Sequence, residues 1–586
     1  MKKFLPHRFL FILIIPFIIL IASFLLRSVS GPFWQFGDSA YNYIFNSFQI
    51  LKGHSPSEIA HPGTPLQTLI AVMIWIVSFG KTAAGAVNQA LIDPEYSLQA
   101  VYLFLTITSF LSSVFLGLYI YYKTNDKLAV LLAQLPGLSF LIMPSFDGSI
   151  YPVLPVVANI NAEPCLIIIM NLFNLSLFGL YFSQKRSQEL RYTLLLAFVC
   201  GLGLATKLDF LFIFLSALML IPLRQKLMFI VACAVSFVLC TLPIVSKYPQ
   251  LFQWVTDIVD HSSRYGTGTQ EFINWKTYLF YLNLVTRNDW FFIFSALGLW
   301  IWSSQRLIKN SQDRNSRFIW VLTFCFFLHI LATAKHFSFH YLLPAIALFG
   351  LILPLFYLNQ KPRYKILGPL VIALTLIFVS VCIFYVIPNY NNLRVLTQDI
   401  HDFNDALSAK YPKCTIIPAT TNNVIIYLSK HEAMLRGNGT TFRFEGEDLF
   451  RLYPNSYYLF TEELTSSENN ESYGIWNYKQ RVMGDDILNT CSCAIFVKFR
   501  SDFSSYPYQL LPLDQSKYLN AYLFVSSTEK AANELFEKAM DSFKAGDFKQ
   551  ALGYGIQSRQ LNYEPRGQLE YFLNLIYQNF LRSQGK

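Results

Sequence analysis

Residues 34–80 read WQFGDSAYNYIFNSFQILKGHSPSEIAHPGTPLQTLIAVMIWIVSFG. The stretch follows the first long apolar run. It sets a carboxylate, Asp38, among aromatic side chains, then makes a His61-Pro62-Gly63-Thr64-Pro65 turn, then runs apolar again. A carboxylate at the mouth of a membrane helix is costly unless water, a partner or a substrate meets it. How residues 65–80 are read decides the fold. If they cross a bilayer, every later loop changes side; if they lie along its surface, 27–97 is one long outer loop.

Composition sets the class. Of 586 residues, 53% are hydrophobic, 17% aromatic and 14% charged, with mean hydropathy +0.37. Soluble domains carry about 25% charged residues, and long apolar runs mark a multi-pass helical membrane protein. The net charge of +10 is not a nucleic-acid signal, because Lys and Arg gather in short loops between apolar runs, where topology accounts for them. Cysteines 165, 200, 233, 240, 325 and 382 fall in or beside apolar spans as core residues. Cys414, Cys491 and Cys493 lie in the polar C-terminal part and suit one disulfide in an oxidising compartment. The apolar run after MKKFLPHR shows no small-residue cleavage site and is expected to stay as a span.

A span needs about 20 apolar residues. Such runs predict helices near 9–26, 98–122, 128–144, 164–182, 190–206, 208–222, 227–243, 289–303, 318–334, 341–358 and 366–388, eleven in all. Charge decides two ambiguous runs. With 65–80 along the surface and 190–222 split in two, the loops 1–8, 123–127, 183–191, 223–226, 304–317 and 359–365 hold 17 Lys and Arg. The opposite loops up to residue 389 (27–97, 145–163, 207–209, 244–288 and 335–340) are about three times longer in total and hold 9. The positive-inside rule then puts the N-terminus inside and everything after 389 outside.

Three parts are expected: a transmembrane domain over 1–389, an extracytoplasmic α/β domain over 390–530, and a helical segment over 531–586. In the second part LTQDIHDFNDALSAKY (396–411) has helical spacing, while TIIPA, NVIIYLS, YYLFTE, CAIFVKF and NAYLFVSS read as short strands. In the third, Gly546-Asp547-Phe548 with Ala551, then LNYEP (561–565), resembles one tetratricopeptide repeat and the start of a further helix. A free-standing array needs roughly three repeats, so this segment caps the α/β domain or docks a protein partner.

The candidate chemistry lies on the outer side. Asp38 precedes SAYNYIF, which suits a helix N-cap; in a partly apolar setting it also suits a general base, with Tyr41 one turn on. His61 sits in a turn stiffened by Pro62 and Pro65, where it caps the turn or touches substrate. Glu163 precedes Pro164 at a helix start, where capping is the ordinary role, at the depth of Asp38. Lys207 and Asp209 interrupt an apolar run, as a mutual pair or with Lys207 on a lipid phosphate. Lys335, His336 and His340 form a compact basic group at the same face, snorkelling being the ordinary role of Lys335 alone. Carboxylates on one side and cations on the other suit transfer from a lipid-phosphate sugar. The leaving phosphate needs cations, and a hydroxyl acceptor needs a base.

At these residues the chain resembles the GT-C superfamily of polyprenyl-phosphate-sugar-dependent membrane glycosyltransferases, in particular the branch of protein O-mannosyltransferases and aminoarabinose transferases. The resemblance covers roughly 9–390. Asp38 matches that family's catalytic acid of the first outer loop. His61-Pro62-Gly63-Thr64-Pro65 resembles its His/Lys-Pro-Pro turn, with Gly63 for the second Pro. Glu163-Pro164 matches its acidic-Pro motif, and Gly203 to Lys207 its phosphate-facing segment. His340-Tyr341-Leu342-Leu343-Pro344 matches the opening of a late span. The resemblance implies a GT-C-like fold, a polyprenyl-phosphate sugar as donor, and a glycan, lipid or protein as acceptor. It also implies an inverting reaction at the outer face of a bacterial-type inner membrane, with no cofactor required. A divalent cation between Asp38 and Glu163 suits carboxylate chemistry but is not called for. Two other classes stay open: a transporter or flippase for lipid-linked saccharides, which would show repeats and broken helices near the midplane, and a non-catalytic envelope assembly protein working through 531–586.

Overall fold

A computed structural model describes residues 10–33, 39–56, 59, 63–144, 154–262, 270–362, 364–418, 458–460, 474–476, 481–482, 494–499, 508–561 and 567–583. The chain divides into two units, Met1–Arg394 and Val395–Lys586.

The first unit is a helical membrane protein. Among the described residues nine helices are long and apolar enough to cross a bilayer: Leu10–Val29, Pro94–Thr124, Ala162–Tyr181, Arg186–Thr206, Leu223–Cys240, Trp290–Lys309, Arg314–His336, Phe339–Gln360 and Leu367–Lys410. Two more of the expected spans are there as shorter apolar helices, Lys127–Leu141 and Leu208–Leu220. Side-chain burial is that of a bundle in an apolar solvent. Phe173, Phe178, Phe210, Phe229 and Phe326 fill the interior, while Ile14, Phe17, Phe115, Leu239 and Phe384 stand exposed on the outer faces.

Hydrogen bonds between helix ends test the expected parity. At one end, Arg27 donates to the Ala158 carbonyl at 3.4 Å, and Ser55 and Ser246 hydroxyls meet at 2.9 Å. At the other, Lys361 pairs with Asp126 at 2.5 Å, Arg224 with Glu189 at 2.7 Å, and Arg314 donates to the Leu180 carbonyl at 2.8 Å. Every one of these joins two ends that the charge count places on the same side. The run 190–222 is a hairpin. Its turn is at Lys207, while Glu189 at its start and Met219 near its close both reach partners of the Lys361 end, Arg224 and Arg317. Glycine makes this turn possible. A Cβ on Gly203 would meet the Phe210 ring at 2.5 Å, and one on Gly201 would meet the Cys233 carbonyl oxygen at 2.6 Å.

The helix Thr64–Val77 has 14 residues, about 21 Å at 1.5 Å per residue, short for a crossing. It packs on Ser39–Leu51, Pro94–Thr124 and Arg186–Thr206. Gly63 precedes it with φ 61°, and a Cβ there would meet the Tyr43 ring at 2.9 Å. The position calls for glycine, because proline cannot adopt a positive φ.

One boundary differs from expectation. The last long helix does not stop at Pro388 but runs from Leu367 to Lys410 with Pro388 inside it. Proline removes one backbone bond and kinks a helix, yet the helical spacing of 396–411 carries on directly.

In the second unit, strands 415–418, 494–499, 519–527 and 508–515 form a sheet in that order, its first pair parallel and the others antiparallel. Strands 458–460, 474–476 and 481–482 form a separate antiparallel sheet. Four expected strands are therefore in place; NVIIYLS lies outside the described residues. The strand Tyr508–Gln515 is not among the expected ones, and it carries a proline. It sits at the sheet edge, where Pro512 is tolerated. Asp399 binds the turn before the last strand, accepting from Ser516 Oγ at 2.6 Å and Tyr518 N at 3.1 Å. Cys414 is disulfide-bonded; Cys491 and Cys493 lie outside the described residues. The terminal helices are Thr528–Lys544, Phe548–Leu561 and Gly567–Ser583. Gly546 turns the chain at φ 80°, and Ala539, Ala551 and Ile576 are buried together.

Candidate functional site

Glu163 lies in the first turn of Ala162–Tyr181 and is 3% exposed. It does not cap its helix, and Asn161 at the cap position makes no side-chain cap bond either. Its carboxylate instead accepts a hydrogen bond from Lys207, equally buried. Lys207 has extended backbone, φ −159° and ψ 131°, which ends helix Arg186–Thr206 and aims the side chain across to the neighbouring helix start. The same ammonium stands 3.9 Å from Asp209 and 4.1 Å above the centre of the Tyr341 ring. His340 Nε2 is 3.8 Å from Glu163 Oε1, and its Nδ1 is 2.7 Å from Ser338 Oγ.

Three segments distant in sequence thus bring one ammonium, two carboxylates and one imidazole into a single, largely buried cluster. Both carboxylate oxygens of Asp209 are buried and without a hydrogen bond among the described residues. Two carboxylates to one ammonium leave a negative excess, which a proton on the imidazole or on one carboxylate would balance. Below the cluster His329 Nε2 donates to the Tyr341 carbonyl at 2.7 Å. That holds the backbone of the residue whose ring lies under Lys207.

The basic group 335–340 is divided. Lys335 Nζ donates to the carbonyls of Ile258, at 2.9 Å, and Val259, and His336 Nε2 donates to Ile258 at 2.8 Å. These carbonyls belong to the last turn of helix Tyr248–Asp260, where cations satisfy orphan acceptors and complement the helix dipole. Only His340 of this group joins Glu163.

Tyr41 is fully buried and donates to Glu95 at 2.7 Å. Glu95 also accepts from the Phe33 amide at 3.0 Å. Beside them Arg27 is 6% exposed, with its guanidinium 4.0 Å above the Phe33 ring. Sequence reasoning passed over Arg27 and Glu95. The signal was there for Arg27, a cation at the wrong end of the first span for the positive-inside rule. Glu95 after Asp93-Pro94 looks like an ordinary first-turn acid. Asp38 and His61 lie outside the described residues, and with Asp38 any cation site it would share with Glu163.

No family model matches this chain, and a comparison with curated proteins returns no match.

Proposed function

We propose that this protein is a membrane glycosyltransferase that moves a sugar from a polyprenyl-phosphate donor to an acceptor at the outer face of the inner membrane. The reading is supported above all by the buried Glu163–Lys207–Asp209–His340 cluster. Ionisable side chains inside a membrane bundle are expensive and are kept where they serve a substrate or ion. In the proposed reaction Asp38 takes the proton of an acceptor hydroxyl. The acceptor oxygen bonds to the anomeric carbon as the bond from that carbon to phosphate oxygen breaks, and polyprenyl phosphate leaves with inversion. Lys207 and His340 meet the charge that grows on the phosphate. Glu163 and Asp209 hold Lys207 until the donor arrives, and His61 lines the acceptor side; Tyr41, expected there too, is fully buried against Glu95 and belongs to the frame instead. Lys335 and His336, held on helix Tyr248–Asp260, support the frame in this scheme rather than the phosphate.

The test is release of polyprenyl phosphate from a panel of polyprenyl-phosphate sugars by purified protein, with membrane extract as acceptor source. Wild type should release it and Asp38→Asn should lose at least a hundredfold in rate. Release by both would remove Asp38 from its role; release by neither would sink the transferase reading. One observation favours a transporter instead. The apolar segments 127–141 and 339–360 are broken, the first into a 3-10 stretch from Leu135 and the second at Leu348. Broken helices accompany transport sites. Donor uptake into vesicles without phosphate release would decide for that reading.

A further inference from the structure

A cavity lies inside the first unit, between helices Leu10–Val29, Pro94–Thr124 and Ala162–Tyr181 and beside the 3-10 stretch Leu135–Leu141. Its volume for the centres of water-sized spheres is about 50 Å³. One water needs roughly 10–15 Å³ on that measure, so the space takes about four waters or a small polar group of that size. Among the described residues its wall carries no charged side chain but is rich in hydroxyls and amides.

Two of those amides are unbalanced. Gln134 and Asn174 are each 2% exposed. Gln134 Nε2 donates to the carbonyls of Ile12 at 3.0 Å and Ser113 at 3.1 Å; Asn174 Nδ2 donates to the Ala347 carbonyl at 2.9 Å. Both donors of Gln134 and one of Asn174 are thus engaged, while the amide oxygens Oε1 and Oδ1, both buried, have no partner among the described residues. Buried acceptors without donors are costly, and irregular backbone at membrane depth persists where it lines a cavity. Half-buried Leu20, Thr106 and Phe110 line the space from helices Leu10–Val29 and Pro94–Thr124, next to Phe17 and Ile107, which are exposed apolar side chains suited to lipid. The approach is therefore lateral, from hydrocarbon.

We infer that this cavity binds the hydroxyl-bearing headgroup of an uncharged lipid, with the acyl chains left in the bilayer. The hydroxyl supplies the donor that the Gln134 and Asn174 oxygens lack. A wall without cations has nothing to offer a phosphate, so this site is separate from the charged cluster. It does not depend on the transferase reading.

The test uses the full chain in nanodiscs with a few mole per cent of dioleoylglycerol, or of trioleoylglycerol, which has the same chains and no hydroxyl. Native mass spectrometry should show one dioleoylglycerol per chain and at least tenfold less trioleoylglycerol. Thr106→Trp, which narrows the approach without touching either amide, and Asn174→Leu, which removes an acceptor, should each lower retention at least tenfold. Asn174→Leu also loses the bond to Ala347, so Thr106→Trp carries the decision if that variant unfolds. Three outcomes overturn the inference: no lipid retained, meaning that water alone fills the cavity; both lipids retained equally; or retention unchanged in Thr106→Trp.

Discussion

The two ends of the helix bundle hold their charges in opposite ways. At the Lys361 end the cations of the two ion pairs, Lys361 with Asp126 and Arg224 with Glu189, are 56% and 55% exposed. At the other end Lys207 and Glu163 are each 3% exposed. Pairs with an exposed cation contribute about 0–1 kcal/mol; Asp126 is itself buried, yet it also accepts from the Leu128 and Ala129 amides, so loss of Lys361 does not strand it. A buried pair is no cheaper than well-packed apolar residues of the same size, and losing one partner is severe because the other charge is stranded. The first end therefore needs only topology to explain its charges. The second buries its charges, where ionisable side chains are expensive.

The sharpest break of this comparison is Lys207→Met. It strands Glu163 and Asp209, and thermal or denaturant unfolding in detergent should show a loss of about 3–5 kcal/mol. Arg27→Gln comes next. It removes a buried guanidinium bonded to Ala158 and resting on Phe33, with an expected cost of about 1–3 kcal/mol by the same measurement. Lys335→Met should cost about 0.3–1 kcal/mol, the value of a helix C-terminal cation, and leave polyprenyl phosphate release within about twofold of wild type; a loss comparable to that of Lys207→Met would return Lys335 to the phosphate.

The smallest effects belong to the exposed end. Arg224→Ala should shift stability by less than about 1 kcal/mol with no change in release. The hydrogen bond from Lys361 to Asp126 holds that ammonium above its ordinary 10.5. A raised lysine contributes stability that is whole below pH 10.5 and is lost as pH climbs through the raised value. The small stability gap between wild type and Lys361→Met should thus be constant from pH 7 to 9 and shrink above pH 10.5. A gap that widens there would contradict the pairing.

Much of the frame was legible in the sequence because lipid imposes length and apolarity on each crossing, and loop charge fixes parity. The hairpin at Lys207 followed from counting Lys and Arg, and the helix after Pro65 is as short as that count requires. Gly203 opens the segment read as phosphate-facing, yet its local reason is close packing against Phe210, as that of Gly201 is packing against Cys233. Partners were harder to read than positions. Glu163 and Lys207 were each placed at one face, but nothing in their spacing of 44 residues told that they bond. Lys335, His336 and His340 are neighbours in the chain, and only geometry separates the two that cap helix Tyr248–Asp260 from the one that meets Glu163. The Gln134–Asn174 cavity left no trace in the sequence, because Gln134 and Asn174 inside apolar runs resemble any buried amide. Strand Tyr508–Gln515 carries a proline, a residue that argues against a strand.

The most direct test of a working cluster is the double variant Glu163→Gln/Lys207→Met, measured for unfolding and for release of polyprenyl phosphate side by side. Replacing both charges relieves the stranded carboxylate, so stability should recover by at least half of the loss in Lys207→Met while release stays absent. Recovery of stability together with wild-type release would show the cluster to be structural and would contradict the account.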